Sequence, residues 1–137
     1  MEALYSTTGI SSGNGRDGRA ALADGSLELT MAPPAETGGK GDGSNPEQLF
    51  ALGYAACFHS ALKVAGGRLD KKVGGSTVKA TVTLGRDESG YSLAVELSAA
   101  VPGLGEEEVK QLLEAAHAIC PYSKATRGNI PVTLTVG

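Results

Sequence analysis

The sequence predicts an α+β fold of two small sheets and two main helices in the order βββ-α-ββ-α-β, and three observations carry that expectation. Apolar residues alternate with period two at Val78-Ala80-Val82-Leu84, Leu93-Val95-Leu97 and Ile130-Val132-Leu134-Val136, the spacing of half-buried strands. Asp24-Gly25 lies between Ala20-Ala21-Leu22 and Leu27-Glu28-Leu29, a hairpin turn between two short extended runs. Helix starts are written at Asn45-Pro46-Glu47, with an N-cap, a first-position proline and a first-turn acid, and at Gly105-Glu106-Glu107-Glu108.

Taken in order, residues 4–31 are short β runs broken by Gly, Ser and Asn, and Pro33-Pro34 ends them. Residues 33–44, with Gly38-Gly39 and Gly41-Asp42-Gly43, form a loop that is free to line a site. The first helix runs from Pro46 to about Ala65, where Gly66-Gly67 is expected to stop it. Its apolar residues surround nearly the whole circumference, as in a helix buried between two layers, and Cys57 falls at its middle. A second hairpin turns within residues 86–90, and Pro102-Gly103 closes it. Val109, Leu112, Leu113, Ala116 and Cys120 then keep helical spacing, which turns Cys120 inward at the helix end. Pro121 limits that helix, with room for a second short one, and residues 130–136 make the last strand.

A chain of 137 residues fits one domain. Its 20% charged residues and net charge of -3 describe an ordinary surface, and no basic stripe is present to follow a phosphate backbone, so nucleic acid is not an expected partner. Met1-Glu2-Ala3-Leu4-Tyr5 has neither a basic leader nor an apolar run, which points to a cytoplasmic protein. The most apolar stretch, residues 49–65, is interrupted by His59, Ser60 and Lys63 and falls short of the ~20 apolar residues of a membrane span. Open sheet edges and a helix apolar all round call for more cover than a short chain supplies, and a homodimer would provide it.

The chemistry-bearing residues are few. Cys57 and Cys120 both face inward, and on spacing alone they are either inert core thiols or a pair that meets to form a reversible disulfide. A reactive thiol needs a positive neighbour, because the thiolate is the nucleophile. In Gly15-Arg16-Asp17-Gly18-Arg19, Arg16 and Arg19 are the candidates, and the glycine before Arg16 and the one at position 18 would let the backbone aim Arg16 inward, although a solvated turn arginine fits the same residues. Glu47 is sufficiently explained as a first-turn partner of the helix dipole. A metal site is not expected: Cys57 and His59 point apart on a helix, which leaves His117 and Cys120 as too few ligands.

Three blocks, Gly15-Arg16-Asp17-Gly18-Arg19, Asn45-Pro46-Glu47-Gln48-Leu49-Phe50-Ala51 through Gly53-Tyr54-Ala55-Ala56-Cys57-Phe58, and Cys120-Pro121-Tyr122-Ser123 through Ala125-Thr126-Arg127-Gly128-Asn129-Ile130, resemble the organic hydroperoxide resistance branch of the Ohr/OsmC family. The resemblance covers essentially the whole chain. It implies an OsmC-like two-sheet fold, an intertwined homodimer with active sites at the subunit interface, and a Cys-based peroxidase that reduces alkyl or fatty-acid hydroperoxides. Carried over by motif, Cys57 matches the peroxidatic cysteine, Cys120 the resolving cysteine, Arg16 the thiolate-activating residue and Glu47 the acid that orients Arg16. No bound cofactor is implied; the reducing co-substrate is a lipoyl dithiol, on a lipoylated protein or as dihydrolipoamide. Phe50, Leu52 and Phe58 are the expected substrate contacts. His59 and Lys124 stand where that branch is expected to carry an aliphatic and a small polar residue. Because Glu47 and Cys57 lie ten residues apart, about 15 Å along one helix, either Arg16 spans part of the gap or Glu47 comes from a second subunit, and the second arrangement is the expectation. The reading from another class is a thiol redox sensor or small-ligand binding module.

Overall fold

In the computed structural model, which describes residues 1–137, the N-terminal runs form a three-stranded antiparallel sheet in the order β1-β2-β3. Strands β1 (Gly9–Asn14) and β2 (Asp17–Leu22) pair from Gly9↔Leu22 to Asn14↔Asp17, which leaves Gly15-Arg16 as a two-residue turn. Gly15 takes φ 64 there, a left-handed conformation that favours glycine at the first central position of a tight hairpin. Arg16 is thereby placed at a hairpin tip. The predicted turn at Asp24-Gly25 also forms, with Asp24 Oδ1 accepting the Ser26 backbone N–H at 2.9 Å, and delivers β3 (Glu28–Thr30) onto β2. The loop that follows is folded back on its own start: Ala32 N–H donates to Ser44 O at 2.9 Å, and Met31 and Ala32 are buried.

Helix α1 (Pro46–Arg68) begins as its sequence predicts. Asn45 Oδ1 accepts the Gln48 N–H at 2.9 Å, while Gln48 Oε1 accepts the Asn45 N–H at 3.1 Å, two reciprocal caps on otherwise orphaned donors. Its end is a correction. The helix passes through Gly66-Gly67 to Arg68, because Gly66 serves close packing and not termination. A Cβ on Gly66 would lie 3.0 Å from the Lys71 carbonyl oxygen and 3.0 and 3.1 Å from the two Val73 methyls. The left-handed residue of the turn is Asp70, at φ 52, and Lys71 N–H closes on Gly66 O at 2.8 Å. Overpacking should outweigh the gain in helix propensity, so Gly66→Ala is expected to lose up to about 2 kcal/mol of stability. Denaturant unfolding checks this; an unchanged midpoint would mean that the returning chain simply yields.

The second sheet has the order β4-β5-β6. Strands β4 (Thr77–Asp87) and β5 (Gly90–Ala100) make the predicted hairpin, and β6 (Val132–Val136) runs parallel to β5 from Val95↔Val132 to Ala99↔Val136. Between them come α2 (Glu106–Ile119) and a six-residue α3 (Pro121–Thr126). Central strand β5 sends Val95, Leu97 and Ala99 into a core shared with Tyr54, Phe58 and Leu62 of α1 and Leu112, Leu113 and Ala116 of α2. By length and composition α1 is apolar enough to cross a membrane, contrary to the sequence expectation, but its Tyr54, Phe58, Ala61, Leu62 and Ala65 are spent on this core.

The chain divides into two compact units, Met1–Leu49 with the first sheet and Phe50–Gly137 with the second sheet, α2 and α3.

Candidate functional site

Within the second unit, the two cysteines meet. Cys57 occupies the middle of α1, and Cys120 is the joint between α2 and α3, with extended backbone at φ -63, ψ 125. Their Sγ atoms are 3.3 Å apart, with both thiols free. That separation exceeds the ~2.05 Å of a covalent disulfide and corresponds to the Cys120 thiol donating to the Cys57 sulfur. Cys120 has no exposed surface, whereas Cys57 is partly open. The two inward thiols are therefore in contact, as a pair that could form a disulfide requires.

Burial pushes the Cys57 thiol above its ordinary pKa, and the neighbouring Cys120 adds to the effect, while the backbone N–H of Tyr122 pulls it down. Burial wins. A thiol in this setting is mostly protonated at neutral pH and needs an external positive charge to become a strong nucleophile.

In the first unit, a positive charge is held in an ion pair. Arg16 Nη1 donates to Glu47 Oε2 at 2.9 Å and Nη2 to Oε1 at 2.8 Å, a two-pronged pair that fixes the plane of the guanidinium. Arg16 is half exposed at the hairpin tip, and Glu47, at the start of α1, is 15% exposed. The Arg16 hydrogen bonds hold the Glu47 carboxyl below the usual carboxylate range. Because the folded value is the lower one, the pair's contribution is complete above the ordinary range near ~4.3 and is lost as pH falls through the lowered value. So exposed a pair is screened and adds little stability; what it supplies is orientation. Arg16 and Glu47 make this pair within one chain. Arg19 pairs elsewhere, with Glu28 across the sheet.

Of the expected substrate contacts, Leu52 is 69% exposed and Phe50 partly buried, whereas Phe58 is fully buried in the core and offers a ligand no surface. Phe50 joins Tyr54 edge-on at 5.7 Å between ring centroids, and Tyr122 lies 6.0 Å from Phe50 and 5.6 Å from Tyr54. Gly53 leaves room for this, since a Cβ there would sit 2.7 Å from Tyr122 Oη. The histidines have serine partners: His59 Nε2 is 3.0 Å from Ser76 Oγ, and His117 Nδ1 is 2.7 Å from Ser123 Oγ. Burial, aided by Arg127, lowers the His117 pKa.

Sequence reasoning missed Tyr54, Ser123 and Thr126 as polar residues of this region. Tyr54 Oη, fully buried, lies 2.9 Å from Ser123 Oγ and 3.0 Å from Thr126 Oγ1. The available signal was the tyrosine itself, because a buried phenol on a helix apolar all round must find a hydrogen-bond partner. A separate polar hollow of about 480 Å³ in the first unit is lined by Asp17, Thr30, Lys40 and Asp42 among others, and by none of the expected site residues.

Residues 39–135 match the OsmC-like protein family. The chain is 46% identical over 135 residues to the organic hydroperoxide resistance protein of Xanthomonas axonopodis pv. citri (strain 306), covering 97% of this chain and 94% of that relative. It is 44% identical to the organic hydroperoxide resistance protein OhrA of Bacillus subtilis (strain 168), covering 97% and 96% of the two chains. Among solved structures, an organic hydroperoxide resistance protein from Elizabethkingia anophelis superposes with a TM-score of 0.91 at 46% identity over 100% of this chain and 99% of that one. OhrB of Bacillus subtilis gives 0.88 at 40% identity over 98% and 100%. The α+β fold read from the sequence is the fold of these structures.

Proposed function

Since the chain belongs to the OsmC-like family, with relatives named for organic hydroperoxide resistance along nearly its whole length, we propose that it reduces organic hydroperoxides as a Cys-based peroxidase. The single observation that carries this reading is the 3.3 Å approach of Cys57 and Cys120, one sulfur partly open and the other sealed behind it.

In the first step the Cys57 thiolate attacks the distal peroxide oxygen. An S–O bond forms, the O–O bond breaks, and the alkoxide leaves and takes a proton to become the alcohol, so Cys57 becomes a sulfenic acid. Arg16 lowers the cost of the thiolate and stabilises charge on the departing oxygen, with Glu47 setting its orientation. The distance along α1 between Glu47 and Cys57 favours an arrangement in which the Arg16–Glu47 pair of one subunit serves the thiol of the other. A thiol whose own surroundings raise its pKa supports the need for that outside charge. In the second step Cys120 attacks the sulfenic sulfur, an S–S bond forms, and hydroxide leaves as water. A lipoyl dithiol then returns both cysteines to thiols and is itself oxidised to the cyclic disulfide.

A homodimer is supported by apolar surface that one chain leaves open. Ile10, Leu27 and Leu52 are exposed, and a groove of about 260 Å³ on the first sheet is lined by Ile10, Leu22, Leu27, Leu29 and Leu49. On the substrate side, Phe50 and Leu52 favour a carbon chain, since about 0.8 kcal/mol per buried methylene is roughly a fourfold preference for each. The test is peroxide consumption with dihydrolipoamide, using cumene hydroperoxide and hydrogen peroxide side by side. Many equivalents consumed, with the organic substrate faster, is the expected result. Consumption that stops after one equivalent would instead make the protein a redox sensor.

A further inference from the structure

The approach of the two sulfurs depends on a joint. Cys120 is the single extended residue between α2 and α3, so its position follows from whatever holds those helices. Helix α2 is anchored by Val109, Leu112, Leu113 and Ala116 in the core. Helix α3 has only six residues, too few to be stable by itself, and it buries two of them, Ser123 and Thr126. Both hydroxyls bond to one atom, Tyr54 Oη, at 2.9 and 3.0 Å. Tyr54 precedes Cys57 by three residues on α1, and Ser123 follows Cys120 by three, so the tie and the sulfur contact are neighbours on the same faces. From α2, His117 Nδ1 meets Ser123 Oγ at 2.7 Å, which makes Ser123 the node between three helices.

We propose that Tyr54 is a positioning residue for disulfide closure: its hydroxyl pins α3 to α1 and holds Cys120 at attacking distance from the oxidised Cys57. The inference rests on the peroxidase reading. Closure, in which the Cys120 sulfur bonds to the Cys57 sulfur and expels hydroxide as water, competes with a second peroxide. That second peroxide adds another oxygen to the sulfenic sulfur, breaks its own O–O bond, departs as the alcohol and leaves a sulfinic acid that the dithiol cannot restore. Geometry decides this race, because a thiol misplaced by an ångström reacts far more slowly.

Tyr54→Phe keeps the ring against Phe50 and Tyr122 and removes only the tie; Ser123 retains His117, and Thr126 Oγ1 retains the Ser123 carbonyl at 3.2 Å. The readout is the ratio of sulfinate to disulfide, by intact mass, after a fixed cumene hydroperoxide challenge of the reduced protein. Tyr54→Phe is expected to raise that ratio about tenfold. Ser123→Ala should raise it too, with the double variant no worse than the larger single effect, because both remove one tie. Thr126→Ser, which keeps the hydroxyl, should stay at the wild-type ratio. A merely structural tyrosine would lower the unfolding midpoint and leave the ratio unchanged, and that result overturns the proposal. Should Tyr54→Phe fail to fold, Thr126→Val reads the same tie from its other end. A wild type that forms neither disulfide nor sulfinate overturns the peroxidase reading itself, an outcome visible before any variant is compared.

Discussion

Cys57→Ser is expected to abolish peroxide reduction, while Cys120→Ser consumes one equivalent and then over-oxidises. The difference follows from where the sulfurs sit. Cys57 is the partly open member, so it alone is placed to meet a peroxide, and a serine hydroxyl in its place is too weakly acidic to attack. Cys120 is fully buried 3.3 Å behind it, placed to react with an oxidised neighbour and shielded from the oxidant. Without Cys120 the sulfenic acid has no internal partner and proceeds to sulfinic acid as peroxide accumulates. Mass spectrometry distinguishes the products: two hydrogens lost in the wild type, and oxygens gained in Cys120→Ser. Sustained lipoyl-dependent turnover in Cys57→Ser would sink the assignment.

The second large effect belongs to a residue with no sulfur. Arg16→Ala is expected to slow the reaction of Cys57 with peroxide by about 10²- to 10³-fold, the scale found when one donor to a developing charge is removed. The loss has two parts: a less favoured thiolate, because burial already raises the Cys57 pKa and only the Tyr122 backbone N–H opposes it, and a less stabilised charge on the departing oxygen. The pH profile separates them, since in Arg16→Ala the rising limb of the rate should move to higher pH. Arg16→Lys should rescue poorly, because one ammonium cannot reproduce the two-pronged geometry with Glu47. Glu47→Gln keeps a shape able to accept one hydrogen bond and should cost less, roughly tenfold. On the acid side Arg16 holds the Glu47 carboxyl below its ordinary range, so the pair should survive mildly acidic conditions and fail only as pH falls through that lowered value. Stopped-flow measurement of the first peroxide equivalent against pH tests all three variants.

Much of this was legible along the chain because its signals are local. Asp24-Gly25 announces a hairpin turn, and Asn45-Pro46-Glu47 announces a helix start, since each depends on the backbone of a few neighbours. What was misread depends on residues distant in sequence. Gly66 looks like a stop until Val73 packs against it, and Phe58 looks like a ligand contact until the core closes around it. Nothing in residues 132–136 shows that they lie parallel to β5, because alternation fixes faces but not direction. Glu47 was fully explained by its own helix, so its second partner, 31 positions away, could come only from the motif resemblance. Tyr54 passed as one more apolar residue of α1, its hydroxyl hidden inside the periodic pattern that made the helix so easy to find.

If the chain works as proposed, the joint at Cys120 also sets the order of bond breaking when the oxidised pair is reset. With one sulfur sealed under α2 and α3 and the other partly open, an incoming thiolate can approach only Cys57. Cys120 would then be the leaving group, and the reductant would be carried for a moment on Cys57 as a mixed disulfide. A monothiol would wait there for a second molecule to reach the same sulfur. A molecule with two sulfurs on one short chain carries its own second nucleophile, at an effective concentration that free thiols do not match. Under the proposed function, the asymmetry that shields Cys120 would also favour, by connectivity alone, a dithiol as the reductant that completes the cycle.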